Sequence, residues 1–370
     1  MTKVSFKLNS QLDAGELIDI YDNLDLLLKL FPPEIKTSVI SKENGIIEET
    51  LHVSSLKKTI TQQTKHKKIS PQSFLLEIIS GPAKGSVSKI NFFQSKVGTE
   101  ISVEINLKVS IKYKLFGSII KNKLENLLTN ILRRLDNLGS FISNKKYKVI
   151  FSNNYETITL SNNSSTNLIF HGWWLGDLPG MFLANVYKNL LIKDKTIIDV
   201  GSNICDSSIY FVQNGARKVI ALEPFPINFR YAEQNIESNN LGGKIIPLLA
   251  GLSGKTSELR VNPDQLGVSV KMTESQNGMK IQQLSLDYLI NEFDIKEGIL
   301  KLNCEGCEYE SILTPDSSTL QKFGRILIQY HNGFKKLKTK LEDAGFVVSV
   351  TPHPSVELKG TILANLKKLN

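Results

Sequence analysis

Hydrophobic residues change their spacing more than once along this chain. Near the start, Val4, Phe6 and Leu8 alternate with polar residues, which predicts a strand. Leu17, Ile20, Tyr21, Leu24, Leu28 and Phe31 then recur at helical spacing up to the stop at Pro32-Pro33. Four short alternating segments follow, Ile35 to Ser41, Gly45 to Ser54, Phe74 to Ile79 and Val87 to Val97, separated by turn residues. The clearest alternation is Ile101, Val103, Ile105, Leu107, Val109 and Ile111, with polar residues between them. That pattern predicts a long antiparallel strand with one buried and one wet face. Leu115, Ile119, Leu124, Leu127, Leu128, Ile131, Leu135 and Leu138 then line one side of a long amphipathic helix.

Residues 139–165 are polar, with turn signals at Ser152-Asn-Asn154 and Ser161-Asn-Asn-Ser-Ser165. Between them, Tyr147 to Phe151 and Thr157 to Leu160 predict a short hairpin. The chain is therefore divided into a domain over 1–140, a linker over 141–167 and a second domain over 168–370. In the second domain short apolar strands alternate with helices. The strands are Thr196 to Val200, Lys218 to Leu222, Lys244 to Leu248, Gly298 to Leu302 and Arg325 to Gln329. Helices are predicted at Ser207 to Asn214, Ile227 to Asn239, Leu286 to Glu292 and Leu337 to Ala344. Such alternation argues for a parallel sheet covered by helices on both faces, with ligands beyond the carboxyl ends of its strands.

Composition narrows the class. With 370 residues, 41% hydrophobic and 22% charged, the chain reads as an ordinary two-domain globular protein. No stretch reaches the ~18 apolar residues of a membrane helix, and the first residues lack the apolar core of a secretory signal, so a cytoplasmic protein is expected. Three cysteines, Cys205, Cys304 and Cys307, are too few to staple a fold of this size, and a reducing compartment fits. Residues 1–140 carry 20 basic against 14 acidic residues, and the remainder 25 against 22. The densest basic cluster, Lys65-His66-Lys67-Lys68, has no neighbouring aromatics for base stacking. It reads as part of a solvated hairpin, and no nucleic-acid partner is expected.

The N-terminal order of one helix near the start, a run of antiparallel strands and a long last helix resembles the helix-grip fold. START-like proteins, also called the polyketide cyclase or coenzyme Q-binding superfamily, have this fold. The resemblance spans residues 1–138 and rests on element order and on the segment Val97-Gly98-Thr99-Glu100-Ile101. It implies a cavity between helix and sheet that accepts an apolar ligand; a closed core serving as a docking module is the alternative.

In the second domain the first strand ends in Asp199-Val-Gly201-Ser202-Asn203-Ile-Cys205-Asp206, and the second in Glu223-Pro224. Gly201 lets backbone approach a ligand, and Glu223 stands where a nucleotide-type fold places its ribose-binding acid. The second and third glycines of a dinucleotide loop are absent, and Asp199 and Asp206 would repel a pyrophosphate. S-adenosyl-L-methionine carries a sulfonium, an ammonium and a ribose diol but no phosphate. Two acids at neighbouring strand tips favour it over NAD.

These residues, with Gly215-Ala-Arg-Lys-Val-Ile-Ala-Leu-Glu-Pro224, Asn228 to Asn235, Leu284-Ser-Leu-Asp287 and Leu300-Lys-Leu-Asn-Cys-Glu-Gly-Cys-Glu308, resemble the FkbM-type methyltransferases. The resemblance covers roughly residues 168–350. It implies a class I, Rossmann-like, S-adenosylmethionine-dependent fold with Asp199, Gly201, Ser202 and Asn203 on the methionine side. Glu223 falls on the ribose, with Pro224 and Ala250 beside the cofactor. Family members look like O-methyltransferases, which implies a small-molecule, glycan or lipid-like acceptor, supplied or selected by the N-terminal cavity. Two departures stand out: Cys205 replaces a usual glycine, and Asn303 a usual carboxylate. A scaffold that keeps the fold without turnover is the rival reading.

An alcohol acceptor must lose a proton during attack, which calls for a base. His331, in Gln329-Tyr-His-Asn-Gly333, is the first candidate and Glu305 the second. Cys304 and Cys307 have the spacing of a metal or redox pair, and Cys205 with His331 would complete a tetrahedral zinc site. The pair overlies a family motif that needs no metal, so none is expected. Trp173-Trp174 reads as a lid or, with more weight, as an anchor for its segment.

Overall fold

The computed structural model describes residues 2–32, 35–53, 58–108, 117–162, 167–263, 278–354 and 356–367. The expected strand and helix positions Pro33, Val109, Ile111 and Leu115, and most of the 161–165 turn, lie outside them. The chain divides into two compact units at Tyr155/Glu156.

The first unit is built on a seven-stranded antiparallel sheet. Its strands are β1 (Thr2–Ser10), β2 (Ile35–Ser41), β3 (Ile46–Val53), β4 (Lys58–Ser70), β5 (Ser73–Ser80), β6 (Val87–Ser95) and β7 (Gly98–Leu107), in the order β1-β7-β6-β5-β4-β3-β2. The first and last strands thus pair, Val4 opposite Ile105 and Phe6 opposite Val103. The alternation in β7 does what the pattern requires: Ile101, Val103, Ile105 and Leu107 are buried while Glu104 and Asn106 are exposed. Gly98, at φ 127°, starts β7 where a Cβ would overlap the Ser10 carbonyl, so the sheet closes there only around glycine.

The long helix α3 (Gly117–Ile142) follows, and its Leu128, Ile131, Leu132, Leu135 and Leu138 are buried. The strand β8 (Lys148–Phe151) completes this unit. The predicted first helix is two, α1 (Ala14–Asp22) and α2 (Leu24–Lys29). Asn23 breaks it, because its side chain accepts the Leu26 N–H and caps α2.

β4 was not predicted as a strand. Its sequence is polar, and two of its inward positions are Thr64 and His66, so alternation of apolar residues does not show it. Lys67 and Lys68 are exposed on the β4–β5 hairpin, in line with the solvated reading, whereas the His66 ring turns inward.

The second unit opens with β9 (Thr157–Ser161) antiparallel to β10 (Asn167–His171). Its main sheet contains β11 (Thr196–Val200), β12 (Lys218–Leu222), β13 (Ile245–Leu248), β17 (Gly298–Leu302), β18 (Phe323–Tyr330), β19 (Phe346–Pro352) and β20 (Gly360–Leu366), ordered β13-β12-β11-β17-β18-β20-β19. Five strands run parallel, and β20 enters antiparallel between β18 and β19.

The helices are α4 (Asp206–Gln213), α5 (Pro226–Ser238), α6 (Leu286–Glu292), α7 (Cys307–Leu313), α8 (Ser317–Leu320) and α9 (Lys335–Asp343). β14 (Ala250–Leu252), β15 (Ser257–Val261) and β16 (Met279–Leu284) form a small side sheet. Every residue of β11 and β17 is buried, Asp199 and Lys301 included, as the central strands between two helical layers must be. Among the described residues no helix is long and apolar enough to cross a membrane.

Candidate active site

A cavity of about 570 Å³ opens beyond the carboxyl ends of β11, β12 and β17, where an open α/β sheet places its ligands. Its wall contains Gly201 and Asn203 from the β11 turn, Glu223 and Pro224 from the end of β12, Ala250 from β14, and Asn303 to Cys307 after β17.

The β11 turn is a tight one. Gly201 has φ 70°, and a Cβ there would overlap the Asn303 carbonyl, so close contact between two strand ends demands glycine. Asn203 and Cys205 also take left-handed backbone, at φ 52° and 60°. The position at which Cys205 replaces the usual glycine is therefore one where glycine would be unstrained.

Glu223 is buried at the end of β12, and each carboxylate oxygen accepts a backbone N–H, from Asn203 at 2.8 Å and from Phe225 at 3.0 Å. Burial pushes its pKa up to about 8 although these bonds oppose the shift. An acid pinned in one orientation, desolvated and facing a cavity, is suited to accept a pair of hydroxyls.

Asp199 and Ser202, expected on the methionine side, are not in the wall. Asp199 is fully buried behind it, 2.7 Å from the Lys301 ammonium, and its second oxygen accepts the hydroxyls of Ser207 at 2.6 Å and Ser208 at 2.7 Å. Burial alone would discharge Lys301, but Asp199 outweighs it and keeps the ammonium charged. Lys301 also reaches the Gly201 carbonyl at 3.0 Å. The pair holds the β11 turn against β17 and leaves Asp199 no free face for a ligand. The Asn203 side chain is likewise engaged, donating to the Leu175 carbonyl and accepting from Asn228.

The acids that do face the cavity are Asp177, Asp206, Glu223, Glu305 and Glu310, against Lys301 as the basic group in the wall. Burial pushes Asp206 up to about 6, and its Oδ2 accepts the Asp177 N–H at 2.9 Å. Asp177 ends the segment of Trp173 and Trp174, which the sequence reads as a lid or, with more weight, an anchor. Leu175, Gly176, Asp177, Met181, Val186 and Tyr187 wall one side of the cavity. A Cβ on Gly176 would overlap the Asp206 carboxylate, so this glycine lets the segment approach the β11 turn. Trp173 and Trp174 stay out of the wall and anchor the segment: their rings meet edge to face, and Trp174 meets Tyr231 in the same way.

On the opposite side Glu305 is in the wall, while His331 stands behind it. His331 Nε2 lies 3.3 Å from Glu305, and Nδ1 lies 3.0 Å from the buried Glu308. Burial pulls the imidazole pKa down, but hydrogen bonds and charge from the two carboxylates outweigh it and hold it at about 9. Both ring nitrogens of His331 are thus engaged by carboxylates, an arrangement that favours its protonated form over a free base. Lys301 and Glu308 had a signal in the sequence: each is a charge set among residues that the fold buries.

Cys304 and Cys307 are joined to each other, and Cys205 is buried and unbridged, so the imagined four-ligand zinc site does not assemble. Among the described residues no group of three or more His, Cys, Asp or Glu side chains is placed to hold a metal.

The cavity at the strand tips of this α/β sheet is thus rich in acids. Residues 199–348 match the family described as the methyltransferase FkbM domain, and this match supports a methyltransferase. A search of curated proteins found no significant match. The N-terminal part is similar in structure to the Zhui aromatase/cyclase from Streptomyces sp. R1128, at 11% identity and TM-score 0.34, covering 39% of this chain and 96% of that one. It is also similar to a START superfamily protein from Mycobacterium smegmatis, at 12% identity and TM-score 0.32, covering 38% of this chain and 99% of that one. These likenesses are too distant to carry more than the comparison itself.

Proposed function

We propose that the second unit is a class I methyltransferase that moves a methyl group from S-adenosyl-L-methionine to a hydroxyl oxygen of a small-molecule, glycan or lipid-like acceptor. The observation that carries this reading is Glu223. It is buried, held by two backbone N–H groups, and aimed into an acid-rich cavity beside a turn that only glycine fits. The residues present suit the cofactor: Glu223 would hold the ribose diol, and Asp206 with Asp177 would face the cationic methionine portion that Asp199 was expected to meet. The strand order, with its antiparallel β20 inserted between β18 and β19, agrees with a class I methyltransferase sheet.

When bound, the cofactor supplies an electrophilic methyl group on a sulfonium. Displacement at that carbon is in-line, so the chain's contribution is alignment and removal of the acceptor proton. Glu305 takes the proton in this reading, because it faces the cavity as a carboxylate. His331 holds Glu305 in place and takes the proton onward only when it gives up its own. Asn303 is in the wall but can remove no proton, so the carboxylate missing there leaves this duty to Glu305. Calorimetric titration of the full chain with S-adenosylmethionine, its demethylated product and NAD tests the reading. Binding of the first two alone supports it, and binding of none favours the scaffold.

For the first unit we propose a ligand-holding role. Its interior void, between α3 and the sheet, measures about 20 Å³, room for one water. An apolar ligand thus has to open it. His66 favours this reading: it lines the void, and neither ring nitrogen has a hydrogen-bond partner among the described residues. Burial holds it neutral, at a pKa of about 4. A ligand with one hydroxyl or carbonyl on an apolar body would satisfy it. Titrating the full chain with hydroxylated apolar compounds while following the His66 ring by NMR tests this; an unmoved resonance at saturating compound refutes it.

A further inference from the structure

Two cysteines that methyl transfer does not use stand in the wall of the same cavity. Cys304 and Cys307 form a disulfide, with Cα atoms 5.5 Å apart, and the ring they close contains only Glu305 and Gly306 between them. Both of those residues have left-handed backbone, φ 54° for Glu305 and 125° for Gly306. Glycine adopts such values freely, whereas a glutamate must be held there. The bridge spans Glu305 in this conformation, with its carboxylate 3.3 Å from the His331 ring.

The histidine is anchored on its other side by Glu308, whose second oxygen accepts the N–H of Gly306 inside the bridged ring at 2.8 Å. Glu308, buried on α7, accepts both the backbone N–H of His331, at 3.1 Å, and its Nδ1 contact, at 3.0 Å. Glu305 meets the other ring nitrogen at 3.3 Å and lies 4.0 Å from the Lys359 ammonium. Further titratable neighbours are Tyr330, which precedes His331 in the chain, and Tyr309, whose hydroxyl donates to the Gly333 carbonyl and accepts the Asn332 N–H. Both carboxylates flanking the imidazole are therefore tied to the bridged ring, Glu305 as a member of it and Glu308 through the Gly306 N–H.

We infer that Cys304–Cys307 is a reversible thiol–disulfide site whose state sets the position of Glu305 in the cavity. The exchange partner is a dithiol. One of its thiolates attacks a bridge sulfur, the S–S bond breaks, and the other cysteine leaves as a thiolate and takes a proton. The second thiol then displaces the mixed disulfide. Two electrons pass from the dithiol, which becomes a disulfide, to the bridge, which becomes two thiols. With the ring open, Glu305 leaves the left-handed region and its carboxylate moves off His331. The opposite half of the cavity, at Glu223 and Asp206, contains neither cysteine and stays as it is. This inference does not depend on which ligand the cavity takes.

The test uses the full chain, air-oxidised or treated with dithiothreitol, with free thiols counted by alkylation and mass spectrometry. The His331 ring is titrated by NMR in each state, its resonance assigned with His331→Gln. Oxidised protein is expected to carry one free thiol, Cys205, and reduced protein three. The His331 titration is expected to fall by about one pH unit or more on reduction, as loss of a neighbouring opposite charge requires. The double variant Cys304→Ser/Cys307→Ser, checked for folding by circular dichroism, is expected to show the lower value with or without dithiothreitol. Three free thiols in the air-oxidised protein, or complete reduction with an unmoved His331 titration, overturns the inference. Demethylated cofactor is titrated alongside in both states. Failure to bind in either state speaks against the methyl-donor reading and leaves the thiol–disulfide result standing.

Discussion

Replacing Lys301 by Met tests whether the buried pair with Asp199 holds the floor of the cavity. The ammonium and carboxylate are 2.7 Å apart, with side chains 2% and 0% exposed. At that separation and an effective dielectric of 20, their attraction is about 6 kcal/mol, much of it offset by desolvation. Lys301→Met removes the attraction but not the cost of burying Asp199, which keeps only the hydroxyls of Ser207 and Ser208. The expected loss is about 3–5 kcal/mol, the range for breaking a buried pair from one side. In a unit of this size that lowers the melting temperature by roughly 6–20 °C, which differential scanning calorimetry reads directly. Asp199→Asn is expected to cost a similar amount and, by leaving a bare ammonium under the cavity, to weaken binding of a cationic ligand as well. The double variant Asp199→Asn/Lys301→Met leaves no charge at this pair and is expected to be more stable than either single variant. A Lys301→Met loss below about 1 kcal/mol, or a double variant whose loss equals the sum of the singles, would refute the reasoning.

Other expectations follow from the same geometry. Gly201→Ala forces a side chain onto left-handed backbone at φ 70° and into the Asn303 carbonyl, so it is expected to cost roughly 1–3 kcal/mol in backbone strain alone. Loss of ligand binding accompanies it, read by thermal unfolding and calorimetry. Because the pKa of Glu223 is raised to about 8, ligand hydroxyls that favour its ionised form should expel a proton on binding at pH 7. Calorimetry in buffers of different ionisation enthalpy measures that release. The raised pKa of His331 sets a stability window: its contribution is complete below about pH 6.5 and disappears as pH rises through about 9. His331→Gln should flatten the fall in melting temperature over that interval, and an unchanged slope speaks against the Glu305–His331–Glu308 arrangement.

The elements that were legible in the sequence are those whose burial repeats. β7 could be read residue by residue, since Ile101 to Leu107 alternates strictly and both faces behave as the pattern demands. β11 and β17 were equally plain, because a strand between two helical layers is mostly apolar, and here only Thr196, Asp199 and Lys301 interrupt the run. β4 was hidden by its polar inward positions. The break at Asn23 was hidden because its neighbours keep helical spacing across it. At the site, sequence reading placed Gly201 and Glu223 at the strand ends, where both line the cavity. It misassigned Asp199, because a charge at a strand tip looks the same whether it faces a ligand or a buried lysine one strand away. Only pairing β11 with β17 brings Lys301 beside it. His331 was misjudged for a similar reason: its reference pKa suits a base, and the two carboxylates that raise it come from another element.

Equilibrium titration of the wild-type chain and Glu223→Gln with demethylated cofactor, with NAD as the control, tests the methyl-donor reading most directly. The expected result is saturable binding to the wild type, a roughly ten- to hundredfold loss in the variant from a weakened charged hydrogen bond, and no binding of NAD. Equal binding by the two proteins, or NAD binding where the demethylated cofactor does not, would contradict it.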